Sequence, residues 1–296
     1  RRPAEVVPAW EELTRLTELA AADAPRRARP VTLPIETAAG GDRWVAVTAV
    51  AFDEGVVYAL RDVSDEQALE QARSDFVATA SHELRTPLAA VYGAARTLRR
   101  TDIEIPAEQH DRFLEIIVSE TERLTAIVSQ ILLAGQLEEG RVDVTTAATD
   151  LRPLAESVLD STRLRTPEQI ELRLEQNGAR AVALADEDKL RQVLMNLLDN
   201  AIKYSPDGGD VVVGLAGSQG RVRLTVRDRG LGVPPGEHER IFEKFYRLDP
   251  ALTRGVGGSG LGLFISRELV SRMGGSLTVR SQPGEGAAFV VDLPAA

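Results

Sequence analysis

The chain has 296 residues and three histidines, and one of these sits where it can do chemistry, in Ser81-His82-Glu83-Leu84-Arg85-Thr86-Pro87-Leu88. An imidazole with a reference pKa of about 6.5 is substantially neutral near pH 7, so one ring nitrogen has a free lone pair that can attack phosphorus. Glu83, beside it, can accept a hydrogen bond from the other ring nitrogen, fix the tautomer and take up the proton as a P–N bond forms. Thr86 lies one helical turn on and faces the same side, where its hydroxyl can orient a water against a phospho-histidine or a phosphorylated partner. Pro87 removes the amide that would bond the carbonyl of Glu83, which predicts a kink near His82. Taken alone, a lone helical histidine is more often a solvent-facing residue. The case for nucleophilic chemistry therefore needs a phosphoryl donor elsewhere in the chain.

The second half of the chain supplies residues suited to holding one. In Asn196-Leu197-Leu198-Asp199-Asn200-Ala201-Ile202-Lys203-Tyr204, two asparagines share one helix face, while Val193, Leu194, Leu197 and Leu198 supply the buried side. A neutral amide carbonyl can ligate Mg²⁺ without adding negative charge next to a triphosphate. Lys203 can approach the phosphates. Arg221 to Val226 alternates like a strand and delivers Asp228-Arg229-Gly230-Leu231-Gly232, where a carboxylate can accept the exocyclic amine of adenine and glycines let the backbone come close. Any tight turn can contain that pattern, so by itself it is weak. The aromatic run Ile241 to Arg247 suits a short helix, with Phe242 and Phe245 packing a mobile segment. Gly255-Val256-Gly257-Gly258-Ser259-Gly260-Leu261-Gly262-Leu263 then leads into a helix, exposing backbone amides at its positive end as a cradle for phosphate, with Gly258, Gly260 and Gly262 as contacts.

These residues need elements to position them. From Ser64 to about Thr101, apolar residues recur at three- and four-residue spacing as a long amphipathic rod, and Pro106 opens a second helix that ends near Gly135 to Gly140. A short connection makes the pair an antiparallel hairpin. Two helices close a core poorly, so two hairpins are expected to pair into a four-helix bundle, a homodimer. From about Asp150 the order helix, strands, helix, strands, helix, strands predicts an α/β sandwich. Residues 1–63 begin with a helical pattern around Trp10 and continue as strands Val31 to Glu36, Trp44 to Phe52 and Val56 to Val63, separated by Gly40-Gly41-Asp42 and Asp53-Glu54-Gly55. The linker near Gly135 to Asp150 and a lid near Asp249 to Gly257 are the parts expected to move. His110 and His238 lie in polar stretches and read as surface residues.

A formal charge of −10 argues against binding nucleic-acid phosphate as a main activity, and the absence of cysteine removes disulfides, thiolate chemistry and zinc clusters. No apolar run approaches the roughly 20 residues that a bilayer span needs. The chain opens on Arg1, so a longer parent anchored through an upstream span is compatible with it. The reading is then of its cytoplasmic portion.

The octet Ser81 to Leu88 resembles, position for position, the phosphoacceptor box of the sensor histidine kinases of two-component systems. That resemblance implies that His82 is phosphorylated, that Glu83 assists as base, and that Thr86 with Pro87 also supports dephosphorylation of a response regulator. The Asn pair, the Asp-Gly box, the Phe box and the Gly-Leu-Gly box resemble, in order and spacing, the ATP-binding domain shared by histidine kinases, Hsp90 chaperones, type II topoisomerase ATPases and MutL. The match implies the Bergerat (GHKL) sandwich with a left-handed crossover, holding Mg-ATP under a flexible lid. By it Asn200 is the Mg²⁺ ligand, Asn196, Lys203 and Tyr204 line the nucleotide, Asp228 reads adenine, and Gly230, Gly232, Gly258, Gly260, Leu261 and Gly262 frame the pocket. The receiver domain of a response regulator is the implied partner. Gly55 to Ser64 resembles the last strand of a PAS domain, and a plain small sheet explains it equally well.

The resulting expectation is a multidomain chain: residues 1–63 a partial PAS-like sensor segment, 64–140 the dimerising phosphotransfer hairpin, 150–296 the ATP-binding domain. Two other readings compete. A chaperone-like or gyrase-like ATPase would use the second domain for clamp closure but has no need of His82. A non-catalytic sensor would use ATP as a conformational ligand and act mainly in dephosphorylating its partner.

Overall fold

The computed structural model describes residues 30–36, 42–52, 55–178, 180–218, 220–248 and 259–296. The chain divides into two compact units, Arg1–Ala78 and Thr79–Ala296. The expected helix around Trp10, the turn at Gly40-Gly41 and the residues Asp53-Glu54 lie outside the described residues.

In the first unit, β1 (Val31–Glu36), β2 (Asp42–Phe52) and β3 (Gly55–Asp62) form an antiparallel sheet in that order. This is the expected meander. Among its described residues Ile35 and Val47 are buried at its centre, with Leu33, Val45 and Tyr58 packed on them. At the end of β3 the Asp62 carboxylate accepts from the Ser64 hydroxyl (2.6 Å) and amide (3.0 Å) and from Arg43 (2.7 Å). Those bonds, the Ser64 hydroxyl foremost, hold its pKa down to about 2. They also fix the point where strand gives way to helix.

α1 (Ser64–Leu98) is unbroken through Pro87, and α2 (Ala107–Glu138) follows Pro106, whose φ of −56° suits a helix start. Along the hairpin Leu88, Tyr92, Val118 and Leu132 are each more than half exposed. These side chains leave apolar surface exposed on both helices.

The rest of the second unit is an α/β sandwich: β4 (Ala147–Asp150), α3 (Leu151–Arg163), β5 (Ile170–Gly178), β6 (Val182–Ala185), α4 (Glu187–Lys203), β7 (Gly209–Ser218), β8 (Arg221–Arg227), α5 (Gly262–Arg272), β9 (Ser276–Ser281) and β10 (Ala287–Pro294). The main sheet runs β5-β7-β8-β10-β9, with β5 and β7 parallel and the other neighbours antiparallel. β4 and β6 pair separately. Period-two alternation in β8 buries Val222, Leu224 and Val226. Asp186 caps α4 by accepting from the Lys189 amide at 3.1 Å. Inward from it face Leu190, Val193, Leu194, Leu197, Leu198 and Ala201, none more than 1% exposed. Helical periodicity thereby leaves Asn196, Asn200 and Lys203 off the buried face.

The expected mobile linker is instead packed. Ala134, Leu137 and Val142 belong to the same buried core as the sandwich. Arg272 donates to the Val142 carbonyl (3.1 Å) and the Leu137 carbonyl (2.5 Å), Thr145 donates its amide to Asp186 (3.1 Å), and β4 begins the sandwich at Ala147, ahead of Asp150. The reason is apolar: Leu137 and Val142 leave water by joining the core. Leu137→Ala is expected to cost about 3 kcal/mol of stability, the cavity cost of a fully buried leucine, measured by urea unfolding. Among the described residues no helix is long and apolar enough to cross a membrane.

Candidate functional site

A cavity of about 430 Å³ opens between α4, the strand ends of β8 and β10, the start of α5 and one wall of the hairpin. It is within the size range of small-molecule sites. α4 contributes Asn196, Asp199, Asn200, Lys203 and Tyr204. Asp228 stands at the far end with Ala287 and Phe289, and Gly260 and Gly262 border it from the start of α5.

Asp228 is 5% exposed, and its Oδ1 accepts from the amides of Gly230 (2.8 Å) and Ala287 (3.1 Å). Burial pushes its pKa up, and the two amides oppose that. A carboxylate whose one oxygen is so occupied is fixed in orientation and has the other oxygen for a ligand donor. Lys203 is pulled below the usual lysine range, chiefly by burial and next by Arg247, while burial raises Tyr204. The Lys203 ammonium lies 5.5 Å from the Tyr204 ring centre.

Asn196 donates from Nδ2 to the buried Ser266 hydroxyl at 2.9 Å, which ties α4 to α5. A Cβ on Gly262 would stand 2.2 Å from Asn196 Oδ1, so this helix start comes as close as only glycine allows. Gly230 is under the same constraint from a different wall, since a Cβ there would lie 2.0 Å from the Tyr204 carbonyl oxygen. Backbone cannot yield cheaply at that distance. Gly230→Ala is expected to cost roughly 3 kcal/mol or more, read as a lowered midpoint in thermal or urea unfolding.

Phe242 is buried and meets Phe289 edge to face, ring centres 6.4 Å apart. Phe245 takes the left-handed backbone with φ 60° and donates its amide to the Gly260 carbonyl at 2.9 Å. The aromatic run, expected as a short helix, forms a single 3-10 turn at Arg240–Phe242. Glu243, extended at φ −72° and ψ 151°, ends that turn, and the expected lid near Asp249 to Gly257 lies outside the described residues.

Of the residues singled out in the sequence, Glu83, Asn196, Asn200, Lys203, Tyr204, Asp228, Gly232, Gly260 and Gly262 come together on this cavity. Gly230 and Leu261 do not line it; Leu261 is fully buried in the core. Gly258 lies outside the described residues. His82 is exposed and off the cavity wall, and the Thr86 hydroxyl bonds back to the His82 carbonyl at 3.3 Å. Glu83 is 8% exposed and engaged by Arg247 at 2.9 Å and Arg123 at 3.8 Å. His238, expected on the surface, is partly buried with its Nε2 3.2 Å from the Val233 carbonyl oxygen, whereas His110 is exposed.

Sequence reasoning passed over Arg247, Arg123, Ser266 and the Ser259–Gln130 hydrogen bond of 2.8 Å. Arg247 had a signal, since it closes the aromatic run Ile241 to Arg247. Arg123 had none, because only tertiary contact brings its helix to the cavity.

Two family models match the chain. The His Kinase A (phospho-acceptor) domain covers residues 72–140, and the histidine kinase-, DNA gyrase B- and HSP90-like ATPase covers residues 185–296. The first distinguishes this chain from the other users of the ATPase fold. The chain belongs to the sensor histidine kinases.

As a histidine kinase it is 32% identical over 244 residues to the sensor protein SrrB of Staphylococcus aureus, a match covering 81% of this chain and 41% of SrrB. It therefore spans about two fifths of the length of that relative. The crystal structure of full-length ShkA in complex with AMPPNP matches with TM-score 0.57 and 33% identity, over 77% of this chain and 46% of ShkA. ThkA, solved in complex with the response regulator protein TrrA, matches with TM-score 0.59 and 21% identity, over 96% of this chain and 83% of that one, a likeness of fold alone. The family match fixes the architecture as a phosphoacceptor hairpin followed by the ATPase sandwich.

Proposed function

We propose that this chain is an ATP-dependent protein-histidine kinase that phosphorylates itself on His82 and passes the phosphoryl group to an aspartate in the receiver domain of a response regulator. The single observation that supports this best is that Asp228, Asn196, Asn200 and Lys203, distant in sequence, share one cavity with Glu83, the neighbour of His82. Asp228 accepts the exocyclic amine of adenine on Oδ2, while Lys203 and the amides at the start of α5 face the phosphates. A ring nitrogen of His82 attacks the γ-phosphorus, the bond to the β–γ bridging oxygen breaks, and ADP leaves. Glu83 takes the proton from the other ring nitrogen. Positioning and charge neutralisation supply most of the acceleration.

Mg²⁺ fits these residues. Asn200 lines the cavity and would add one neutral carbonyl oxygen to a cation that takes most of its charge complement from the phosphates. When bound it neutralises the charge developing on the β- and γ-oxygens. Residues 64–140 act as the phosphotransfer hairpin, 150–296 as the ATP-binding domain and 1–63 as a PAS-like sensor segment. The exposed seam of the hairpin pairs with a second copy, and the need for ATP assigns this portion to the cytoplasm. Thr86, by placing a water, gives the same helix a phosphatase activity toward the regulator.

His82 lies off the cavity wall, so transfer requires the hairpin and sandwich to move apart from the contacts seen here, or a second copy to present its histidine. The decisive experiment is incubation with γ-labelled ATP. The label is expected to be acid-labile and base-stable and to map to position 82; a mark on any other residue overturns the assignment.

A further inference from the structure

Where the hairpin wall of the cavity meets the sandwich, Glu83 of the phosphoacceptor box sits in an ion cluster with two arginines to which the sequence boxes assign no role. Glu83 Oε1 accepts from Arg247 of the sandwich at 2.9 Å, and its Oε2 lies 3.8 Å from Arg123 on α2. Glu83, Arg123 and Arg247 all line the same cavity as Asn200 and Lys203. Arg247, Glu83 and Arg123 are also the leading charges acting on the Lys203 ammonium, so the four groups form one electrostatic unit. Arg123 is shared with Glu120 at 3.7 Å and Asp199 also acts on Lys203, but among the described residues Glu83 is the carboxylate that bridges the two arginines. The Glu83 side chain is 10% exposed and that of Arg123 47%, so the carboxylate is held inside while one of its cations reaches toward solvent.

A buried carboxylate surrounded by arginines occupies the place that a more highly charged anion would take. Arginine forks bind carboxylate and phosphate with the same donors, and a triphosphate carries more charge and more acceptor oxygens than one carboxylate. We infer that Arg123, carried by the hairpin and not by the sandwich, is a nucleotide-binding residue. It grips the terminal phosphate of ATP together with Arg247, and Glu83 is the anion that holds this clamp until the phosphate displaces it. The exchange orders the reaction. Glu83 is held by Arg247 and Arg123, and becomes available to His82 as a base only when the γ-phosphate has taken those cations over. The inference rests on the kinase reading, since it supposes ATP in this cavity.

Calorimetric titration of the whole chain with AMPPNP and with ADP tests it. Glu83→Gln preserves shape and removes the competing charge, so AMPPNP affinity is expected to rise about five- to tenfold. Arg123→Ala, at a side chain about half exposed, is expected to weaken AMPPNP about tenfold and ADP by less than about twofold, because ADP lacks the phosphate that the clamp holds. A merely structural arginine would not discriminate between the two nucleotides. Unchanged or weakened AMPPNP binding in Glu83→Gln, or equal losses for both nucleotides in Arg123→Ala, overturns the inference. Failure of the unmodified chain to bind either nucleotide overturns the kinase reading itself.

Discussion

His82→Gln is expected to lower phosphoryl incorporation from γ-labelled ATP by at least about a thousandfold, with AMPPNP affinity within about twofold of the unmodified chain. The amide keeps much of the volume of imidazole but offers no nucleophilic nitrogen, so the covalent step is lost outright. Nucleotide binding is spared because His82 is exposed and does not line the cavity. The pairing of results matters as much as their size. A chaperone-like or gyrase-like ATPase would hydrolyse ATP equally well in the variant and acquire no nitrogen-linked phosphate in the parent. Labelling that persists in His82→Gln would move the acceptor to another residue.

Asp228→Asn is expected to weaken nucleotide binding by about a hundredfold or more, with the fold retained. Two backbone amides, from Gly230 and Ala287, already point at Oδ1. An asparagine must turn its carbonyl oxygen toward them, which leaves its NH₂ facing the exocyclic amine of adenine. Two donors then meet where a carboxylate accepted. Titration with AMPPNP measures the loss, and an affinity within about threefold of the parent would remove Asp228 from the role of adenine acceptor.

The same residue sets a pH dependence. Burial raises the folded-state pKa of Asp228 above its ordinary value, so protonation in the folded protein begins at higher pH than in the unfolded chain. Nucleotide affinity should therefore fall as pH drops through that raised pKa. Stability moves the other way for this group: its favourable contribution is complete below the unfolded pKa and is lost as pH rises through the folded one. Asp228→Asn should flatten the acid limb of the affinity profile.

Much of this was legible because the relevant signals are local. A 3.6-residue apolar period marks α4 and thereby assigns Asn196, Asn200 and Lys203 to the face opposite Leu194, Leu197 and Leu198, whatever packs there. The alternation in β8 delivers Asp228 at a strand end in the same way. The glycines, expected to bring the backbone close to a nucleotide, also bring it close to the protein itself. Gly230 is required by the Tyr204 carbonyl and Gly262 by the Asn196 side chain, and those contacts are between parts of the protein. The packed linker was missed because Leu137 and Val142 look, in sequence, like the fraying end of a helix and a polar loop. Nothing local announces that both join the core of a sandwich beginning after them.

What the sequence by itself determined is the chemistry on offer and the elements that carry it: a histidine beside a carboxylate on a long amphipathic helix, and asparagine, aspartate and glycine groups at the ends of helices and strands. These follow from side-chain type and periodicity, properties of a few consecutive residues. What only the tertiary structure decided is which charges face one another. Glu83 is expected from its neighbour to serve His82, yet it is gripped by Arg247, which lies far along the chain, and by Arg123 of the second helix. An ion pair forms wherever the fold brings opposite charges together and removes water, and separation along the chain carries no information about that.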